Sequence, residues 1–410
     1  MNTLAPEGGV RLLEFLGRYR LSELFMREAD RLIAKAKKRN SISAEKKRAI
    51  YWESFFGYMR LPYSMYNPEK MSSFRTGFYQ NNNSPDREVV DCFLQLNEIF
   101  VSMVQCYFSL DMSAESYRSL LGRINDIEDK LSNLKSLRMN LFIRGLKAIL
   151  EFYFKPLTTD LGEEFEEIIN GYEAINDASV NDELFALYFY LACQKKNTGN
   201  PAEAHELFLK IEQKFPFQLY NSLYILYRYS NVLAILNEKE KLKLLLDKYM
   251  SRHLRSYDPD AYILTCVSYS VYHLLKNDLD KVFEYIQLFR GAVNRKTMLS
   301  WDLLMRIFEI VYYYQCDDED FAASQLKKFI RYMNDRTDVK SMKMLIDLIK
   351  IMQYKFNQLN RGKISFAEFE VEMNKYLVGK QALLVHVLIN AARIREQQDD
   401  SLVRELVASA

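Results

Sequence analysis

Apolar residues recur three and four positions apart along most of the chain. Over 86–110 they fall at Val89, Phe93, Leu96, Phe100, Val104 and Tyr107, a spacing that aligns them on one stripe of an α-helix. The segments 113–133 and 136–153 carry the same pattern. Upstream, Gly9 to Leu61 reads as two or three helices, one of them starting at Ser43 and carrying Ile50, Trp52, Phe55, Phe56 and Met59. Between these regions lies Pro62 to Pro85, an irregular stretch with Tyr63, Tyr66, Phe74, Phe78 and Tyr79. Its length and its rings predict a long loop packed onto the helices. Ser84-Pro85 then predicts a helix start, with Ser as cap and Pro in the first turn. Further starts are predicted at Asn200-Pro201-Ala202-Glu203, at Asp258-Pro259, and at Ser365 with Glu368. The last is a capping-box pattern, in which two side chains satisfy amide donors that the helix leaves open.

A longer period overlies the helical one. Asp182 to Pro216 reads as two helices around a turn at Gly199-Asn200. The first carries Tyr188, Leu191 and Ala192, and the second carries Ala204, Phe208 and Ile211 before Pro216. Small Ala192 and Ala204 allow close approach of the two helices, while Leu191, Phe208 and Ile211 fill the space between neighbouring pairs. Weaker copies run through Leu226, Tyr229, Ser230, Leu233 and Leu242, Leu246, Tyr249; through Cys266, Tyr269, Ser270, His273 and Val282, Ile286, Phe289; and through Ile307, Ile310, Val311, Tyr314 and Ala323, Ile330. The anchors Ala204, Leu242, Val282 and Ala323 are spaced by 38, 40 and 41 residues. Phe165, Ile169 and Tyr172 form an upstream echo.

These residues resemble the tetratricopeptide-repeat pattern. The unit 182–216 carries the resemblance best, and 182–335 carries it in degenerate form. The period is longer than the family's, the closing proline occurs once, Lys195 replaces an aromatic and Lys327 stands at an apolar position. Bacterial helical-repeat proteins rich in aromatics look similar. The resemblance implies an all-α fold: an α-solenoid of antiparallel helix hairpins, wound as a right-handed superhelix. On that reading 1–85 forms an N-terminal helical cap with its aromatic loop, 86–180 forms hairpins, 181–335 the repeats, and 336–410 the C-terminal capping helices.

Composition agrees with a helical chain. The 410 residues are 49% hydrophobic and 27% charged, with 13 Gly and 8 Pro, too few turn residues for a loop-rich β protein. The net charge of +2 disfavours a nucleic-acid-coating role. Cys92, Cys106, Cys193, Cys266 and Cys316 form no C-x-x-C pair, so neither a disulfide framework nor a zinc site is expected. No secretory leader and no membrane span is read, which predicts a cytoplasmic protein without membrane insertion.

No enzyme signature emerges. His205, His253, His273 and His386 are scattered, and no phosphate-binding, dinucleotide-binding or nucleophile-elbow motif is present. Neither cofactor nor metal is expected. Asp317, Asp318, Glu319 and Asp320 suit a solvated helix start better than a cation site. Arg27 to Arg48 holds nine basic and three acidic residues. This could contact phosphates, although an ordinary amphipathic helix is the simpler reading.

The expected function is a non-enzymatic scaffold that binds a protein or peptide. In the resembled family the first helix of each hairpin lines a concave groove. Carried onto this chain, those positions are Phe189, Cys193 and Lys196; Tyr224, Tyr227 and Asn231; and Phe308, Tyr312 and Gln315. Aromatic rings among polar groups would suit a peptide; the competing expectation is that the rings simply fill a tight superhelix. Two other functions follow from the same residues: a ligand- or peptide-responsive regulatory sensor, and a nucleic-acid-associated factor using the basic N-terminal segment.

Overall fold

In the computed structural model the described residues are chiefly 87–109, 113–132, 136–155, 159–175, 180–251, 259–292, 299–316, 318–335 and parts of 350–394. The expected N-terminal helices, the 62–85 loop, the Ser84-Pro85 start and the basic segment 27–48 lie outside them. Among the described residues the chain is helical and contains no strand. The helices are α1 (Arg87–Ser109), α2 (Ala114–Leu131), α3 (Leu137–Phe154), α4 (Gly162–Ile175), α5 (Asn181–Asn197), α6 (Pro201–Lys214), α7 (Pro216–Asn221), α8 (Leu223–Ile235), α9 (Lys239–Leu245), α10 (Pro259–Lys276), α11 (Leu279–Ala292), α12 (Leu299–Gln315), α13 (Glu319–Asp335) and α14 (Phe366–Asn374). A π-helical turn, Leu246–Met250, prolongs α9. Residues 383–394 are also helical and are termed α15.

Local chemistry sets several of these boundaries. Prolines open α6 and α10, where their missing N–H would have been unpaired in any case. At α14 the Ser365 hydroxyl accepts from the Glu368 amide at 3.3 Å, and the Ser365 amide donates to the Glu368 carboxylate at 2.8 Å. That is the capping box expected from the sequence.

One turn recurs through the centre of the chain. Gly199, Asn237 and Asn277 have φ of 90°, 57° and 57°, the left-handed region that Gly enters freely and Asn tolerates. Just past each, an amide bonds back five residues: Asn200 to Lys195 O at 2.9 Å, Glu238 to Leu233 O at 2.9 Å, and Asp278 to His273 O at 3.0 Å. A fourth, Asp318 to Tyr313 O at 3.1 Å, closes α12. These are the long-range bonds of Schellman caps. Residues 200, 238, 278 and 318 are 38, 40 and 40 apart. Four residues on, the amides of Ala204, Leu242, Val282 and Ala322 bond to the carbonyls of those same capping residues.

The fourth anchor differs from the sequence expectation by one residue. Ala322 is buried and Ala323 half-buried, and the stripe continues through Leu326, Phe329 and Met333 with Lys327 exposed. The acidic run Asp317–Asp320 allows several helix starts, and the cap at Asp318 selects one. The lysine that broke the apolar pattern therefore faces outward.

Burial divides the helices into two rows. In α2, α6 and α11 a single stripe is covered: Leu120, Ile124, Ile127 and Leu131; Ala204, His205, Phe208 and Ile211; Val282, Ile286 and Phe289. In α5 every residue from Leu187 to Gln194 is buried, and in α10 every residue from Ile263 to Tyr272. A helix covered all round needs neighbours on every side. The contacts supply them. α1, α3, α5, α8, α10 and α12 pack in series, each also against the helix that follows it in the chain, and α12 packs in turn against α1. The inner helices thus touch one another in a sequence that returns to its start. α15 is likewise enclosed, with Val387 to Ala392 all buried. It is tied to α14 by an Arg393–Glu370 pair and by Arg393 over the Phe366 ring at 5.8 Å. Among the described residues no helix is long and apolar enough to cross a membrane.

Candidate functional site

The nine positions carried over from the repeat pattern all lie on inner helices: Phe189, Cys193 and Lys196 on α5, Tyr224, Tyr227 and Asn231 on α8, and Phe308, Tyr312 and Gln315 on α12. Phe189, Cys193, Lys196, Tyr227, Asn231, Phe308 and Gln315 are buried, while Tyr224 and Tyr312 are half-buried. Their helices are flanked by inner neighbours on both sides and by an outer partner.

Three of the nine share one cluster of rings. The Phe189 ring lies 5.9 Å from Tyr224, edge to face, and Tyr224 lies 6.5 Å from Tyr227. Arg228, which the repeat pattern does not single out, organises them. Its guanidinium sits 4.9 Å from the Tyr224 ring centre and 5.8 Å from that of Tyr227, and its Nε donates to the Tyr224 hydroxyl at 3.0 Å. Burial pushes the Cys193 thiol up, with Arg228 and Lys196 opposing that shift. The thiol is therefore held protonated, the opposite of what a nucleophile requires. Trp301, at the start of α12, meets Tyr227 edge-on at 4.9 Å. The spacing of Tyr224 and Arg228, one helical turn apart, is the sequence signal for this cluster.

The α12 positions lead elsewhere. The Gln315 amide donates to Leu274 O at 3.3 Å, tying the ends of α12 and α10 together. Phe308 is fully buried. Tyr312 turns to the outer surface and meets Phe283 of α11 at 5.9 Å. Its hydroxyl is pushed up to about 12, by burial first and then by Cys316.

The histidines are packed. His205 stacks on Tyr229 at 5.7 Å, with Nδ1 3.3 Å from the Tyr229 hydroxyl. His273 stacks on Tyr285 at 5.6 Å and contacts Asp278 at 3.0 Å. Burial depresses both, and at His273 Asp278 opposes the shift. His386, on α15, is half-buried, with its Nε2 enclosed. His253 lies outside the described residues. Among the described residues no three His, Cys, Asp or Glu side chains converge as metal ligands would. In the acidic run, Asp318 Oδ1 accepts from the Phe321 amide at 3.1 Å, a helix-capping contact.

No protein-family model matches this chain, and no curated protein matches it. Its likeness to helical repeats stands on the recurring turn and on the two rows of helices.

Proposed function

We propose that this chain is a non-enzymatic scaffold that binds a protein or peptide, built as a divergent tetratricopeptide-like solenoid of antiparallel hairpins. The observation that carries the reading is the cap repeated at 200, 238, 278 and 318, which builds successive helix pairs to one plan. Arrays of this kind offer extended surface to partners without reaction chemistry. Because seven of the nine groove positions are buried, contact with a partner falls on exposed outer faces, unless binding first opens the inner row. Hydrogen exchange with and without a captured partner tests this. A scaffold gives protection confined to the contacted helices. A chain that captures no partner, or one that turns over a substrate, refutes the reading.

A second reading, a ligand- or peptide-responsive sensor, is favoured by one observation: α12 packs against α1. A change of curvature would have a discrete contact to make or break. Exchange that changes at α1 and α12 together, away from the bound partner, would distinguish this reading from a static scaffold.

A further inference from the structure

One outer face carries an unbroken line of aromatic rings. Phe283 on α11 lies 5.9 Å from Tyr312, Tyr312 lies 5.1 Å from Tyr313, and Tyr313 lies 4.5 Å from Phe321 on α13. Phe283 and Phe321 are 43% and 39% exposed, and both tyrosines are half-buried. Two large exposed phenylalanines joined through two tyrosines are unlike apolar residues scattered singly over a surface.

The charge around this line is one-sided. Asp280 lies one helical turn before Phe283 and acts on the Tyr312 hydroxyl. Glu309 lies beside Tyr313, where it holds Arg290 in an ion pair. Asp318 and Asp320 flank Phe321 and are exposed. Two cations lie among them, and both are engaged: Arg290 with Glu309, and Lys281, next to Asp280, with Glu284. Asp280, Asp318 and Asp320 are left in excess, in a chain whose net charge is +2. The negative field is therefore local and does not reflect an acidic protein. Among the described residues, arginines sit over the rings of Tyr224, Tyr332 and Phe366, whereas no cation sits over Phe283, Tyr312, Tyr313 or Phe321. Aromatic faces rimmed by carboxylates attract guanidinium groups, through the ring quadrupole and through charge-assisted hydrogen bonds.

We propose that the face formed by Phe283, Tyr312, Tyr313 and Phe321 docks an arginine-rich segment of a partner protein. The proposal rests on the scaffold reading and gives that scaffold a surface and a partner chemistry. Arginine is favoured over lysine because its planar group stacks on rings and pairs with carboxylates at the same time.

The test is fluorescence anisotropy of the full chain with labelled nona-arginine, nona-lysine and nona-glutamate. The wild-type chain should bind nona-arginine most tightly, nona-lysine less tightly and nona-glutamate not at all, with an affinity that falls as salt rises. Phe283→Ala combined with Phe321→Ala should weaken nona-arginine binding about tenfold, as expected for two lost cation–π contacts. Asp280→Lys with Asp320→Lys, on exposed carboxylates and so independent of the ring changes, should weaken it at least as much. Unchanged affinity in either double variant overturns the proposal, as does equal binding of all three peptides. It is also overturned by a chain that ignores the peptides but forms a dimer sensitive to Phe283→Ala, which would show a second copy on this face. Partner-induced exchange protection on other helices, without peptide binding, sinks the surface and leaves the scaffold reading standing.

Discussion

His386 should make the fold acid-sensitive in a way that one substitution removes. Its Nε2 is enclosed and has no hydrogen-bond partner. Two cations lie near: Arg393, paired with Glu370, and Lys239, whose ammonium donates to Leu275 O at 2.7 Å. Burial first, then Arg393 and Lys239, hold the imidazole down at about 4, against an ordinary 6.5. The folded chain therefore keeps this ring neutral, while the unfolded chain takes up a proton below 6.5. Stability from this site is complete above pH 6.5 and is lost as the pH falls towards 4. The two values differ by about 2.5 pH units, each worth about 1.4 kcal/mol, so the site accounts for about 3.5 kcal/mol in full, of which about 3 kcal/mol is lost by pH ~4. Urea unfolding followed by far-UV circular dichroism at pH 7 and pH ~4 measures this, comparing the wild type with His386→Gln. Carboxylates titrate alike in both proteins, so the difference between the two losses isolates the ring. The wild type should lose about 3 kcal/mol more than the variant over that interval. Parallel losses in the two proteins would refute the assignment of a neutral His386 with an enclosed Nε2.

Three further outcomes follow from packing and turn geometry. Phe208 is fully buried and stacks on Tyr229 at 4.7 Å, so Phe208→Ala should cost about 3–5 kcal/mol in denaturant unfolding. Asn237 occupies the left-handed turn position. Asn237→Ala should therefore cost about 1 kcal/mol, with Asn237→Gly close to neutral by the same assay; a neutral Ala variant would argue against the cap geometry. Arg144 pairs with Glu164 at 2.8 Å and Glu167 at 3.0 Å on an exposed surface. Arg144→Ala should accordingly shift stability by less than about 1 kcal/mol in thermal unfolding.

Helix starts were the most legible part of the sequence, because their chemistry is local. Pro201, Pro259 and the Ser365–Glu368 pair each act within one turn of chain. The spacing of the recurring turn was legible through the apolar anchors at Ala204, Leu242 and Val282, all buried. The stronger signal, a left-handed residue at Gly199, Asn237 and Asn277, is muted because two of the three are asparagine. The enclosure of the inner row was not legible. Polar residues at Thr265, Ser268 and Ser270 suggest a wet face, yet all three are buried. Their hydroxyls bond back to the carbonyls of Ala261, Leu264 and Cys266 at 2.8, 2.9 and 2.9 Å, so the helix itself satisfies them. Nor does any local pattern announce that α12 meets α1, since the two are far apart in sequence. The groove positions were inferred from single hairpins, whereas their burial depends on the whole series. The outer aromatic line was half visible, in the run Tyr312-Tyr313-Tyr314, but its partners Phe283 and Phe321 come from other helices.

The meeting of α12 with α1 bears on how the molecule comes apart. In an open row of repeats the terminal units have one neighbour fewer, so they loosen first and units can be lost or gained with little effect on the rest. Among the described residues α1 and α12, the two ends of the inner series, hold each other. Excising the residues from one recurring cap to the next would remove a pair of packed helices and also pull that junction out of register. Unfolding of α1 to α12 should therefore be more cooperative than in an open row.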